Sequence, residues 1–258
     1  MSFYQAVFLA IIQGLTEFLP ISSSGHLVIF QKMFELEPPI LFDVFVHVGT
    51  LLAVMIFFRK EIKDWLKGLI HKQKQDWFFL YLLFLGSLPA GLLGWFLNDQ
   101  IESIFNSLEL VAYSLLFTSF LLFLTVLFKN KIKKKTVSQI NWKDSLLIGF
   151  FQAIAILPGV SRSGSTIAAG LFKKFDQKLA FQFSFFLAIP AILGALFLQL
   201  GKISNGFALM PQSILGMGVA AVVGYFSLLI LRKILIKSYF WLFGFYCFLV
   251  GIFLLVIG

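Results

Sequence analysis

Six long apolar stretches recur along this chain, at about 40–58, 77–97, 108–128, 179–200, 209–231 and 239–257. Each is long enough to be expected to cross hydrocarbon as one helix. Two further stretches, 2–31 and 142–172, are each broken near the middle by a run of polar residues. Neither half of either stretch is long enough to cross comfortably. A broken helix at membrane depth is tolerated only where it is buried in protein or lines a wet cavity. Both are therefore read as re-entrant helical hairpins. The expected fold class is an all-α polytopic membrane protein with six full transmembrane helices and two re-entrant hairpins.

The two polar islands align with each other. The first is Gln13-Gly-Leu-Thr-Glu-Phe-Leu-Pro-Ile-Ser-Ser-Ser-Gly-His26, and the second runs from Gln152 to Thr166. At a shift of 139 residues Gln13 falls on Gln152, Ser22 on Ser161, Ser24 on Ser163 and Gly25 on Gly164. Charge placement then orients the halves. Eighteen of the 21 Lys and Arg residues fall in four groups, around 59–74, 129–143, 173–178 and 232–237. Basic loops stay in the cytoplasm, which puts both chain ends outside and makes the two hairpins enter from opposite faces. That is an inverted-topology repeat, a plan whose sites form near the midplane from interrupted helices. The expected units are 1–128, with hairpin 2–31 and three spans; a basic cytoplasmic linker, 129–141; and 142–258, with hairpin 142–172 and three spans. No cleavable leader is expected, because the N-terminal segment has no basic flank.

Composition agrees and removes other classes. The chain of 258 residues is 59% hydrophobic and only 13% charged, about half the charge of a soluble domain. The net charge of +9 sits in the four loop groups, so it reads as membrane topology and contact with membrane lipid, with no nucleic-acid partner. A lone cysteine, Cys247, rules out an intrachain disulfide and any thiolate metal site.

Within the islands, Glu17 is a carboxylate at membrane depth, and intramembrane ionisable groups are functional by default. Pro20 breaks the helix beyond it. Ser22, Ser23 and Ser24 precede Gly25 and suit the start of a new helix, whose N-terminus favours an anion. His26 follows across a chain reversal from Glu17, so the two are expected to meet, and a histidine can act as acid, base or nucleophile. Arg162 sits among Ser161, Ser163, Gly164, Ser165 and Thr166, after Pro158-Gly159. Its guanidinium suits either a buried pair with Glu17 or bidentate capture of phosphate. Asp43 and His47 share one helix face at i, i+4 spacing, as second-shell partners, a proton path or a plain helix start. Gln13, Gln152 and Gln182 are candidates for interhelical hydrogen bonds.

Gln13-x-x-x-Glu17 with the following Phe18-Leu-Pro-Ile-Ser-Ser-Ser-Gly-His26 resembles the (E/Q)xxxE signature of the undecaprenyl-diphosphatase, or bacitracin-resistance, family. Pro158-Gly-Val-Ser-Arg-Ser-Gly-Ser-Thr166 resembles its PGxSRSxxT signature, and Phe42-Asp-Val-Phe-Val-His-Val-Gly-Thr50 its intervening FDxxxHxGT stretch. The match is in the right order over essentially the whole chain. The resemblance implies a multi-pass enzyme of the bacterial cytoplasmic (inner) membrane. It would remove the terminal phosphate of undecaprenyl diphosphate and so recycle the lipid carrier for peptidoglycan synthesis. It also implies inverted repeats, pairing as a homodimer, and a divalent metal, Mg2+ or Ca2+. Position 13 is Gln rather than Glu, which leaves Glu17 the only carboxylate in that motif.

The residues expected to carry the reaction are Glu17, Ser23, His26 and Arg162, with Glu17 also on the metal. Gln13, Ser22, Ser24, Ser161, Ser163, Gly164 and Thr166 are expected around the substrate, and Asp43 and His47 behind them. The site is expected on the outer side of the membrane. Ser23, His26 and metal-bound water remain open as the attacking group. The rival reading is a polyprenyl-phosphate or anion transporter on the same plan, in which Arg162 would only bind while Glu17 and His26 relay protons.

Overall fold

The computed structural model describes residues 1–36, 40–96, 107–128, 135–200 and 211–257. The loops expected at 98–107 and 201–208 lie almost wholly outside the described residues, as do 129–134 of the basic linker. The rest is helical. The helices are α1 (Phe3–Phe18), α2 (Ser23–Met33), α3 (Ile40–Phe57), α4 (Arg59–Ile70), α5 (Lys74–Phe96), α6 (Leu108–Leu124), α7 (Trp142–Ile154), α8 (Arg162–Phe172), α9 (Gln177–Leu200), α10 (Pro211–Ile236) and α11 (Leu242–Ile257). A single bridge between Lys135 and Phe175 is the only β contact among them.

Both interrupted stretches are broken where the polar residues fall. The first becomes α1 and α2, of 16 and 11 residues. The second becomes α7 and α8, of 13 and 11 residues. At about 1.5 Å per residue none of the four reaches across roughly 30 Å of hydrocarbon. Among the described residues, four helices are long and apolar enough to cross by themselves: Lys74–Phe96, Leu108–Phe128 (which includes the 3-10 turn after α6), Gln177–Gln199 and Pro211–Ile236.

The other two expected spans differ in detail. The 40–58 segment ends in a 75° bend into α4. Residues 59–70, expected as loop, form an amphipathic helix that buries Ile62 and Gly68 and leaves Arg59, Lys60, Lys63 and Lys67 exposed. The 239–257 segment is helical only over Leu242–Ile257, 16 residues. The helix starts later than the sequence pattern sets it, because apolar composition continues through the turn at Ser238–Trp241 while the helix does not.

The leading helix of each interrupted pair packs on the other half of the chain. α1 lies along α10, and α7 along α5. Each crossing is close because glycine sits in it. A Cβ on Gly14 would come 3.0 Å from Ala220 O, beside Gly224. A Cβ on Gly149 would fall on the backbone of Gly86. Small residues that let helix backbones approach are how membrane helices associate without a hydrophobic driving force. α3 packs on α10, and α6 on α11.

The open end of the second hairpin, where α7 starts and α8 ends, is held by charge. Asp144, with a side chain 1% exposed, takes Lys135 Nζ at 2.5 Å and Lys173 Nζ at 3.3 Å. Asp144 also closes the capping box of α7 with Asn141. The start of α7 and the end of α8 are thereby tied to the basic linker.

The Gly149–Gly86 crossing has no slack at Gly149, because the atoms a Cβ there would meet are the backbone of Gly86. Gly149→Ala is expected to destabilise the protein by about 1–3 kcal/mol or more, the cost of overpacking a tight contact. Thermal unfolding in detergent micelles measures it. An unchanged midpoint would mean that α5 and α7 are not packed this closely.

Candidate active site

Each break ends in a serine that caps the next helix. Ser22 caps α2, its Oγ accepting from Gly25 N at 3.3 Å. Ser161 caps α8 in the same way, accepting from Gly164 N at 3.0 Å. Each capping hydroxyl also lies beside the serine two residues on: Ser22 Oγ is 3.3 Å from Ser24 Oγ, and Ser161 Oγ is 3.2 Å from Ser163 Oγ. Such caps satisfy backbone donors that a helix start leaves unpaired.

The breaks also touch each other. Ser22 Oγ accepts a second bond from Gly159 N at 3.1 Å, and Ser163 Oγ donates to Leu19 O at 3.4 Å. A Cβ on Gly25 would lie 3.0 Å from Gly159 Cα. The Cβ position of Gly164 lies 3.2 Å from Pro20 Cβ. Gly159 is held at φ 95°, a conformation open to glycine. The carbonyls at the two breaks are satisfied from opposite halves of the chain. Gly159 O accepts from Thr118 Oγ1 of α6 at 3.1 Å, and Pro20 O accepts from Cys247 Sγ of α11 at 3.4 Å.

This contact brings Arg162 to Glu17. Arg162 Nη2 donates to Glu17 Oε1 at 2.7 Å. The other carboxylate oxygen, Oε2, accepts from Ser23 Oγ at 2.6 Å and from Gln13 Nε2 at 3.2 Å. The pair is largely enclosed, with side chains 15% and 9% exposed. The Phe185 ring lies 5.8 Å from the guanidinium, and Phe18 packs edge-on to Phe185. An aromatic floor of this kind holds the guanidinium in place and strengthens any charge interaction above it. Two polar atoms at the centre have no partner among the described residues: Arg162 Nη1 and Gln13 Oε1.

The expected meeting of Glu17 and His26 does not occur. The His26 ring bonds Ser22 O through Nδ1 at 2.8 Å and Tyr246 Oη through Nε2 at 2.7 Å. Tyr246, on α11, carried no signal in the sequence beyond being one aromatic among many. His47 donates from Nδ1 to Asp43 O at 2.7 Å. One oxygen of the Asp43 carboxylate has no partner among the described residues. Thr166 is turned away from Glu17, with its hydroxyl bonded to Arg162 O at 2.8 Å and lying 2.6 Å from Ser184 Oγ. Gln13 bonds within its own helix rather than between helices. Both ends of the Gln152 amide lack partners among the described residues.

The fold and this centre define a class: a polytopic helical membrane protein with a buried acid–guanidinium–hydroxyl centre between two broken helices. The family described as bacitracin resistance protein BacA matches residues 6–253. The undecaprenyl-diphosphatase of Desulfosudis oleivorans is 44% identical over 263 residues, which cover 96% of this chain and 95% of the relative. That of Thermosipho africanus is 40% identical over 253 residues, covering 98% and 99%. That of Halothermothrix orenii is 38% identical over 262 residues, covering 100% and 99%. The chain belongs to the bacitracin resistance protein BacA family.

Ser22 Oγ serves two backbone donors in a buried place, one in each island. Ser22→Ala is expected to lower stability by about 1–3 kcal/mol, the cost of leaving buried donors unpaired. Unfolding in micelles reads it. A change below about 0.5 kcal/mol would show that the two breaks do not depend on this hydroxyl.

Proposed function

We propose that this chain hydrolyses undecaprenyl diphosphate to undecaprenyl phosphate and inorganic phosphate at the Glu17–Ser23–Arg162 centre, recycling the lipid carrier for peptidoglycan synthesis. The curated relatives carry the name of that activity over their full length. The observation that carries the residue assignment is the 2.6 Å bond from Ser23 Oγ to Glu17 Oε2 beside the Arg162 guanidinium. A hydroxyl bonded to a carboxylate is an activated nucleophile with its base. An adjacent arginine with one unpartnered nitrogen is a ready clamp for phosphate.

In this reading the diphosphate sits against the first turns of α2 and α8, whose N-termini favour anions. Arg162 Nη1 takes a phosphate oxygen. Ser23 Oγ attacks the terminal phosphorus as its proton passes to Glu17 Oε2. The bond from that phosphorus to the bridging oxygen breaks, and undecaprenyl phosphate leaves with the bond's electron pair. Water then attacks the phosphoserine at phosphorus, releasing inorganic phosphate and returning the proton to Ser23. Arg162 lowers the barrier by neutralising charge on the equatorial oxygens.

The residue set also fits a divalent cation of the Mg2+ kind. Among the described residues no three His, Cys, Asp or Glu side chains converge, so such an ion would take most of its oxygens from the diphosphate, as Mg2+ commonly does. Glu17 and the unpartnered Gln13 Oε1 are the protein oxygens placed to hold it. Bound there, it would supply further neutralisation of the two phosphates.

The same reading takes the chain as two inverted repeats in the bacterial cytoplasmic membrane, with the site open to the outer face. The reciprocal packing of α1 on α10 and α7 on α5 supports the repeat. The equivalent caps at Ser22 and Ser161 support it too. The orientation rests on the basic groups, most of whose described members are exposed, Lys60, Lys72, Lys174 and Lys233 among them.

Phosphate release from a polyprenyl diphosphate by the detergent-solubilised protein tests the activity, since no gradient exists there for a transporter to use. Arg162→Ala and Glu17→Gln are each expected to lower kcat by about 10²–10³-fold, the scale of losing one transition-state donor or the base. Rapid quench should recover label on Ser23. A folded wild type without turnover in Mg2+ or Ca2+ would sink the phosphatase reading. Turnover with no label on Ser23 would transfer the attack to water.

A further inference from the structure

The His26 ring is fully occupied in the place where a reacting histidine would need a free nitrogen. Ser22 O can only accept, so His26 Nδ1 carries the proton and donates to it at 2.8 Å. The neutral ring then offers a lone pair at Nε2, and the Tyr246 phenol donates into it at 2.7 Å. The two rings lie nearly parallel, at 12°, with centroids 5.6 Å apart. Neither nitrogen faces Glu17.

The residue at the other end of this chain of bonds is unusual. Ser22 is a non-glycine residue held at φ 69°, in a region that residues with a side chain rarely adopt. Strain of this kind persists only where the surroundings hold it, and it clusters at functional sites. Here it turns the chain so that Ser22 Oγ reaches Gly159 N while the next hydroxyl, Ser23 Oγ, reaches Glu17. The equivalent cap in the second island, Ser161, has an ordinary φ of −74°. Ser165 stands there at the position of His26, and its hydroxyl has no partner among the described residues. The strained turn and the imidazole thus occur together, on the copy that carries the reacting hydroxyl.

We propose that His26 and Tyr246 are positioning residues, a brace in which the phenol holds the ring and the ring holds Ser22 in its strained turn, aiming Ser23 at Glu17. His26 is 4% exposed and Tyr246 42% exposed, so the brace runs from the edge of α11 into the first break. Cys247, the next residue of α11, bonds Pro20 O of the same break. Two consecutive residues of the second half therefore dock on the turn that carries the first half's hydroxyl. The proposal rests on the phosphatase reading above, but it assigns His26 no proton transfer and no attack on phosphorus.

A substitution that keeps only the brace decides the matter. The side-chain amide of His26→Asn places an N–H where Nδ1–H stands and exchanges no proton at neutral pH. It is expected to keep kcat within about tenfold of wild type, the scale of one altered hydrogen bond. His26→Ala is expected to lose about a hundredfold, with KM little changed. Tyr246→Phe, which keeps the ring and loses the hydroxyl, should cost about tenfold, and the loss should vanish in the His26→Ala background because Tyr246 acts through His26.

Thermal unfolding of each variant separates misfolding from mispositioning. The 15N spectrum of the histidines reads the brace without turnover: wild type should show His26 as a single Nδ1–H tautomer with a hydrogen-bonded Nε2, and Tyr246→Phe should shift the Nε2 resonance to that of a nitrogen with no donor. His26→Asn as inactive as His26→Ala, in a folded protein, would overturn the proposal and return His26 to acid–base or nucleophilic work. Additive losses for Tyr246→Phe and His26→Ala would overturn it as well, as would an unchanged Nε2 resonance in Tyr246→Phe. A wild type that releases no phosphate yet shows the single tautomer would count against the phosphatase reading and leave the brace standing.

Discussion

A helix that breaks inside hydrocarbon has no water to satisfy the backbone groups it frees, and each one left unpaired costs several kcal/mol. The contact between the two breaks answers that constraint. One hydroxyl, Ser22 Oγ, accepts from Gly25 N of its own island and from Gly159 N of the other. Ser161 Oγ caps α8 in the same fashion. The exposed carbonyls, Pro20 O and Gly159 O, are met by Cys247 of α11 and Thr118 of α6. Neither break is satisfied by its own half of the chain alone. The docking of the halves and the existence of the breaks are one energetic condition.

The polar centre follows from that docking. Glu17 stands just before the first break and Arg162 just after the second, so contact between the breaks sets carboxylate against guanidinium at 2.7 Å. A buried charge of either sign alone would be strongly destabilising, whereas the pair with its hydrogen bonds is tolerated. Ser23 and Gln13 complete the carboxylate's partners. One guanidinium nitrogen and one amide oxygen are left over. These are groups of the kind that a phosphate and a cation would satisfy. The asymmetry between the islands matters here, since Glu17 falls on Ile156 and Arg162 on Ser23, so each island supplies one member of the pair.

Much of this was legible in the linear order of residues. The islands, their alignment, the serine caps and Arg162 as one of two candidate partners for Glu17, beside phosphate, all follow from polar residues standing out against an apolar background. The contact of Glu17 with His26 was expected from nine residues of separation across a reversal, and it does not form. The left-handed turn at Ser22 points the imidazole to α11 instead. Tyr246 could not be singled out, because aromatic residues on an apolar helix usually pack or face lipid, and its partner lies 220 residues away. The bend after Phe57 and the short α11 were missed for a related reason. Hydropathy reports which residues tolerate hydrocarbon, while a bend or a turn is set by backbone packing.

The sequence by itself determined that the chain is a helical membrane protein with two broken helices, and which ionisable groups lie at the breaks. Those properties depend on transfer free energies and local backbone preferences, which each residue carries wherever it sits. Only the tertiary structure decided which groups meet: Glu17 with Arg162 and Ser23, and His26 with Tyr246. Those pairings depend on how closely helices from opposite halves approach, through Gly14 against α10 and Gly149 against Gly86. Packing distances of that kind are a property of the folded halves together and are written in neither half alone.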